Sequence, residues 1–271
     1  MKIKRMYPNG ATKAFTMSYD DGVTQDIRLV EILNKNGIFA TFNLTSGKFG
    51  RDSFTHKNIT VNILPPETDF RKLYSVHEIA VHSLTHPHLD ELPRSEALYE
   101  ITQDKYNLEQ IAGYPILGMA YPYGTYNQTV ISVLEQVGMV YARTVDSHRS
   151  FALPKNFLTW DPSCHHDDPD VFNLIERFKS TQDELALFYI WGHSYEFDGN
   201  ENWDDIERIC SEISGRADIW YATNIDIANY LNALKSLAVL DNFVKNNSAL
   251  PLWFLYDGEL ICLQPGGEFI R

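Results

Sequence analysis

An α/β protein assembled from parallel βαβ units is predicted by three features of the sequence. Short apolar runs alternate with helical patterns almost from end to end. The chain has 271 residues, close to the ~250 at which a barrel of alternating strands and helices stands as one domain. Its composition, 44% hydrophobic and 13% aromatic, supplies a large core and excludes disorder.

Residues 14–19 read as a buried strand, followed by an amphipathic helix over 27–36 that closes at Gly37, a favoured C-terminal cap. Residues 38–44 form a second strand. The polar, turn-rich stretch 45–71 has no sustained period and reads as a long loop or insertion. Residues 79–81 return to the sheet, and a charged helix spans 95–112. A strand at 117–121 precedes a helix at 126–137, and a short strand follows at 139–142. Residues 185–191 make the most apolar strand, and helical pattern resumes at 204–213 and 225–238. In the tail, Asp257-Gly258 between two apolar runs signals a hairpin. Residues 239–271 are therefore expected to pack as a small β appendage on the barrel of residues 1–238.

The 23 Lys and Arg against 36 Asp and Glu leave a net charge of −13. This argues against a non-specific nucleic-acid or anionic-membrane binder, because phosphate neutralisation needs a basic face. No run approaches the ~18 apolar residues of a membrane span. Residues 1–8 are basic without an apolar stretch behind them, so no signal peptide is expected and the location expected is cytoplasmic. Cys164, Cys210 and Cys262 are odd in number and far apart, as suits reduced thiols.

Four segments at predicted strand ends carry candidate chemistry. Asp20-Asp21-Gly22 follows the first strand; it could be a turn, or a pair in which one carboxylate binds a cation while its neighbour stays free as a base. His82-Ser83-Leu84-Thr85-His86 places two imidazoles four apart, which can share a metal if the segment turns helically. Surface histidines would explain that pattern about as well, and His77 and His88 crowd the same stretch. Ala120-Tyr121-Pro122-Tyr123-Gly124 is a rigid turn able to aim a backbone N–H into a cavity. Trp191-Gly192-His193-Ser194-Tyr195-Glu196 follows the most apolar strand. All four fall where the active site of an α/β barrel is assembled.

Taken in order, these motifs resemble four of the five motifs of the polysaccharide deacetylases, carbohydrate esterase family four, with the nodulation-protein-B homology fold. The resemblance covers most of residues 12–230 and implies a distorted (β/α) barrel with fewer than eight regular strands. It also implies that Asp21, His82 and His86 hold a divalent metal, most often Zn²⁺, with Co²⁺, Ni²⁺ or Mn²⁺ as alternatives. Asp20 then matches the general base, His193 the general acid, and the Tyr123 N–H the oxyanion donor. The implied reaction removes N- or O-acetyl groups from a carbohydrate, and the implied partner is an acetylated saccharide.

Two departures stand out. The arginine that usually opens the third motif is replaced by Ala120, with Arg143 a candidate substitute. The Asp–Trp pair of the fourth motif has no clean counterpart; Asp146 and Trp160-Asp161 are candidates. Tyr121, Trp191, Tyr195 and Arg143 are the expected substrate-binding residues. His165-His166-Asp167-Asp168 reads as a solvated loop or substrate contact in preference to a second metal site, because adjacent residues rarely point at one ion. Two alternatives stay open: an amidase acting on a small non-sugar amide or imide, and a catalytically weak carbohydrate-binding relative. The insertion at 45–71 is placed to cover the barrel mouth, which would favour small saccharides.

Overall fold

The computed structural model describes residues 3–240 and 242–270. Eight parallel strands form its centre: β1 (Lys13–Asp21), β2 (Ala40–Leu44), β3 (Glu78–Val81), β4 (Gly118–Ala120), β5 (Tyr141–Arg143), β6 (Cys164–His165), β7 (Ala186–Gly192) and β8 (Ile219–Tyr221). Seven of them follow one another in the order β5-β4-β3-β2-β1-β7-β6, and β8 pairs with the first half of β1. The sheet curls until its edges approach. There the segment after β5 closes the gap: Trp160 bridges to Arg143, and Ser163 N–H donates to the carbonyl of Tyr189 at 2.8 Å. This is the expected distorted barrel.

The connecting helices are α1 (Asp26–Lys35), α2 (Arg94–Ala112), α3 (Gln128–Gln136), α4 (Val171–Ser180), α5 (Trp203–Ile213) and α6 (Asn224–Lys235). They form because apolar residues recur on one face, as with Leu29, Val30, Ile32 and Leu33 of α1. α2 ends at Gly113, whose φ of 81° suits glycine and whose N–H caps the carbonyl of Glu109.

The two faces of β1 differ. Phe15, Met17 and Tyr19 join the apolar layer beneath the helices. Thr16, Ser18 and Asp20 point into the barrel, where a buried polar network runs upward from the start of α6. Thr16 donates to Asn224 at 2.8 Å, Thr41 and Tyr141 donate to Glu78 at 2.7 and 2.9 Å, and Tyr189 donates to Ser18 at 2.9 Å. A polar interior explains why the inward positions of these strands break the continuous apolar runs expected of a parallel sheet.

Two expectations are corrected. The segment 45–71 is not structureless: Ser53–His56 and Ile59–Asn62 pair as an antiparallel hairpin. The last helix stops at Lys235, and Leu237–Val239 begins a β-sheet. That sheet continues through Phe243–Asn246 and Glu268–Ile270. A second antiparallel sheet pairs Leu252–Tyr256 with both Glu259–Leu263 and the N-terminal strand Ile3–Met6. The turn between its C-terminal strands uses Asp257 and Gly258, both at positive φ. Leu252, Phe254 and Leu263 pack with Ile227 and Leu231 of α6, so the tail shares a core with the barrel. No helix among the described residues is long and apolar enough to cross a membrane.

Candidate active site

The C-terminal ends of β1, β3, β4, β5 and β7 converge on one constellation. Asp21 closes β1 at a φ of 80°, and Ser83, His86 and Tyr123 also adopt left-handed backbone, at 64°, 62° and 58°. Such conformations are costly and cluster where chain direction is dictated by a site. The two histidines are brought together by this looped path, not by the helical turn their spacing suggested: Ser83 Oγ accepts from the His86 N–H at 3.1 Å. Asp104 of α2, unanticipated from sequence, accepts from the backbone N–H groups of Ser46 and His82 at 2.8 and 3.1 Å and anchors the loop from below.

His82 Nε2 and His86 Nε2 lie 3.1 Å apart, with Asp21 Oδ1 at 3.8 and 3.7 Å from them. Nδ1 of His82 is 2.8 Å from the carbonyl of Ala120, a bond that requires its proton on Nδ1 and leaves the Nε2 lone pair free. Edges of about 3.3 Å would follow from a tetrahedral ion with bonds of about 2.0–2.1 Å, so this donor set fits a divalent cation. Burial pushes both imidazoles to pKa values below the ordinary value, which favours the neutral, ligating form.

Asp20 is 2% exposed. Its Oδ1 accepts from Asn43 at 2.8 Å and its Oδ2 from Arg143; the same Oδ2 lies 3.9 Å from His82 Nε2 and 3.9 Å from His193 Nε2. Burial alone would raise the carboxyl pKa, but Arg143, His82 and His193 outweigh it and hold Asp20 down at about 2. The arginine missing at position 120 is supplied one strand over: Ala120 and Arg143 are register partners on β4 and β5, so Arg143 rises at the same level. Its guanidinium also lies 4.5 Å over the ring of Trp191.

His193 faces Glu196 Oε2 through Nδ1 at 3.3 Å, and its backbone N–H donates to that oxygen at 3.0 Å. Burial would lower the imidazole pKa, but Glu196 together with Asp21 and Asp20 raises it to about 9. Glu196 is thus the carboxylate that lies against His193, where Asp146 and Asp161 were the candidates. Asp146 is exposed, and Asp161 accepts from Thr144. Sequence reasoning missed Glu196 and Asn43; the i, i+3 spacing of His193 and Glu196 was the available signal.

Tyr123 is exposed, its ring stacked on His88 with centroids 3.8 Å apart and edge-on to His86 at 4.6 Å. Its backbone N–H makes no hydrogen bond to another described residue. Trp191 and Tyr195 flank His193 at ring distances of 5.7 and 5.0 Å. Two expected substrate contacts are corrected. Arg143 is fully buried beneath Asp20, and Tyr121, 1% exposed, spends its hydroxyl on the carbonyl of Leu158 at 2.7 Å. Neither offers a face to a sugar.

Residues 8–142 match the family model described as polysaccharide deacetylase. No curated protein matches the chain. Among solved structures, a Mycobacterium smegmatis protein assigned to the polysaccharide deacetylases is 19% identical, with 86% of this chain and 94% of that one covered and a TM-score of 0.62. The peptidoglycan deacetylase PdaC from Bacillus subtilis is 20% identical over 85% of this chain and 96% of that one, with a TM-score of 0.54. The chain spans only 55% of the Streptococcus pyogenes deacetylase PplD, at 20% identity, 48% coverage of this chain and a TM-score of 0.42. The likenesses to the Mycobacterium smegmatis and Bacillus subtilis structures establish the fold, and by the family match over residues 8–142 the chain belongs to the polysaccharide deacetylase family.

Proposed function

We propose that this protein hydrolyses N- or O-acetyl groups on an acetylated saccharide, using one divalent cation held by Asp21, His82 and His86, with Zn²⁺ the first candidate. A cation held by these residues would supply Lewis acidity to the acetyl carbonyl and to a neighbouring water. Asp20, ionised and fixed by Arg143 and Asn43, takes the proton of the attacking water. The Tyr123 N–H donates to the oxygen that gains charge as the carbonyl becomes tetrahedral. His193, protonated at neutral pH and held by Glu196, gives its proton to the departing nitrogen or oxygen. Trp191, half-buried beside that acid, presents a ring that suits the C–H face of a sugar, and Tyr195, buried under Phe54 and His56, backs the same wall.

One observation carries the reading: Asp20 Oδ2 is equidistant, at 3.9 Å, from a ligating nitrogen of His82 and from Nε2 of the acid His193. A base placed between the cation ligands and the acid is the arrangement acyl hydrolysis requires. The insertion hairpin supports a preference for short or terminal saccharides. Phe54 and His56 lean on Tyr195 with ring centroids 5.2 and 5.0 Å apart, so the hairpin walls one side of the site.

The test is acetate release from a panel of N- and O-acetylated saccharides, short and polymeric, together with a small cyclic imide. The metal-stripped and zinc-loaded enzymes are compared. Zinc-dependent release from short saccharides that Asp20→Asn abolishes is the expected result. Turnover of the imide alone, or undiminished release by Asp20→Asn, would overturn the reading.

A further inference from the structure

Behind the acid, Glu196 also faces two histidines that take no part in the proposed reaction. His165 ends β6 and His166 follows it; Glu196 lies in the short helix Tyr195–Asn200 after β7. Glu196 Oε2 is 3.1 Å from His165 Nε2 and 3.4 Å from His166 Nε2, and one donor atom from each residue lies within 4.8 Å of the other two. Adjacent strand residues normally point to opposite faces. Here the strand ends at His165 and the chain turns, the Asp168 N–H returning to the His165 carbonyl at 3.1 Å. The two rings come to 4.3 Å with a tilt of 40°, both against one carboxylate.

His166 is the unusual member. It is 2% exposed, yet neither ring nitrogen makes a hydrogen bond among the described residues. A neutral imidazole carries one donor and one acceptor, and burying both without partners is costly unless something else engages them. The surroundings hold the ring in place all the same. Tyr19 and Phe197 stack on it at 5.7 and 4.2 Å, and a Cβ at position 192 would lie 2.0 Å from Nδ1, so only glycine there admits the ring.

A cavity of about 360 Å³ opens on His166, lined also by Asp167, Asp168, Asn202 and Asp205. Arg149 neutralises Asp168 at 2.8 Å, and the Asn200 and Asn202 amides donate to Asp167. Asn202 Oδ1 is buried without a partner. Acidic walls and orphaned acceptors suit the approach of a cation.

We propose that His165, His166 and Glu196 form a second divalent-cation site, distinct from that of Asp21, His82 and His86 and reached through this acidic cavity. Two imidazoles and a carboxylate suit zinc and its first-row neighbours. Because Glu196 also orients His193, the second ion sits one residue from the acid and shares its carboxylate.

Zinc per chain, counted by mass spectrometry after the stripped full-length protein is equilibrated with zinc alone and desalted, tests this. Two ions are expected for the wild type, and one for His82→Ala/His86→Ala. One is likewise expected for His165→Ala/His166→Ala and for Glu196→Gln. The last variant keeps shape and leaves the His166 stacking intact, so near-ultraviolet dichroism will show whether its loss of zinc reflects the site alone. A single wild-type ion that survives the His165/His166 and Glu196 substitutions would overturn the proposal. A single ion lost only with those substitutions would uphold it while removing the cation from the proposed catalytic triad.

Discussion

Arg143 and Asp20 form an ion pair with side chains 0% and 3% exposed, a burial at which removing one partner is far costlier than removing both. Arg143→Met leaves the Asp20 carboxylate with the Asn43 amide and two imidazoles; Asp20→Asn leaves a guanidinium buried without its counter-charge. Each single substitution is expected to cost about 3–5 kcal/mol. In a chain of this size that corresponds to a fall in Tm of roughly 6–20 °C, at about 2–4 °C per kcal/mol. The double variant removes both charges together and is expected to recover about 2–3 kcal/mol of the summed loss, as contacting pairs do. Urea and thermal unfolding of the four proteins, all metal-stripped so that ion binding adds nothing to stability, give the cycle. Additive costs, or single losses below about 1 kcal/mol, would refute the idea that this pair is a buried, mutually dependent unit.

Three further outcomes are expected. Loading the stripped protein with zinc at about 100 times its dissociation constant should stabilise it by about 2.7 kcal/mol, read as a rise in Tm that His82→Ala/His86→Ala diminishes; an identical rise in that variant would argue against the triad as a ligand set. Gly192→Ala should cost about 1–3 kcal/mol by overpacking, because the new Cβ meets His166 Nδ1 at 2.0 Å while Tyr19 and Phe197 block the ring's retreat; an unchanged urea midpoint would show that the ring is free to move. Burial raises the Glu78 carboxyl from 4.5 to about 7 against the pull of its hydrogen bonds from Thr41, Ile225 and Tyr141. The folded state therefore keeps a proton that the unfolded chain has lost, so stability is full below pH 4.5 and falls as pH rises toward about 7. Glu78→Gln should flatten that fall by about 3 kcal/mol at 1.36 kcal/mol per unit, and an unaltered pH dependence would count against it.

Much of the site was legible because each catalytic candidate sits at the end of a strand long or apolar enough to read. β1 and β7 announce themselves by nine and seven residues of nearly unbroken burial. β6 is two residues long and cannot show a period. α4 was legible and went unassigned: Val171, Leu174, Ile175 and Phe178 keep the i, i+3, i+4, i+7 spacing of a buried face. The insertion hairpin was half hidden: its first strand is exposed and carries no apolar alternation, whereas in the second Ile59, Val61 and Ile63 alternate with Thr60 and Asn62 over a stretch too short to stand out among turn residues. Asn43 and Asp104 carry no motif; their roles exist only once β2 lies beside β1 and α2 lies under the loop.

The first departure from the family pattern has its explanation in the sheet. A motif is read along the chain, whereas an electrostatic environment is assembled across a sheet, where register partners are neighbours whatever their separation in sequence. Ala120 removes the arginine from β4, but the pairing of Ala120 with Arg143 delivers a guanidinium to Asp20 at the same level from β5. The second is met along the chain instead: the proposed acid His193 faces a carboxylate one helical turn away, Glu196. Asp20 is accordingly held ionised and His193 protonated at neutral pH, the charge states that the proposed base and acid require. The reading of the chain as a weakened binding relative rested on the loss of that arginine; Arg143 beside Asp20 favours the proposed hydrolase, and the acetate-release assay decides between them.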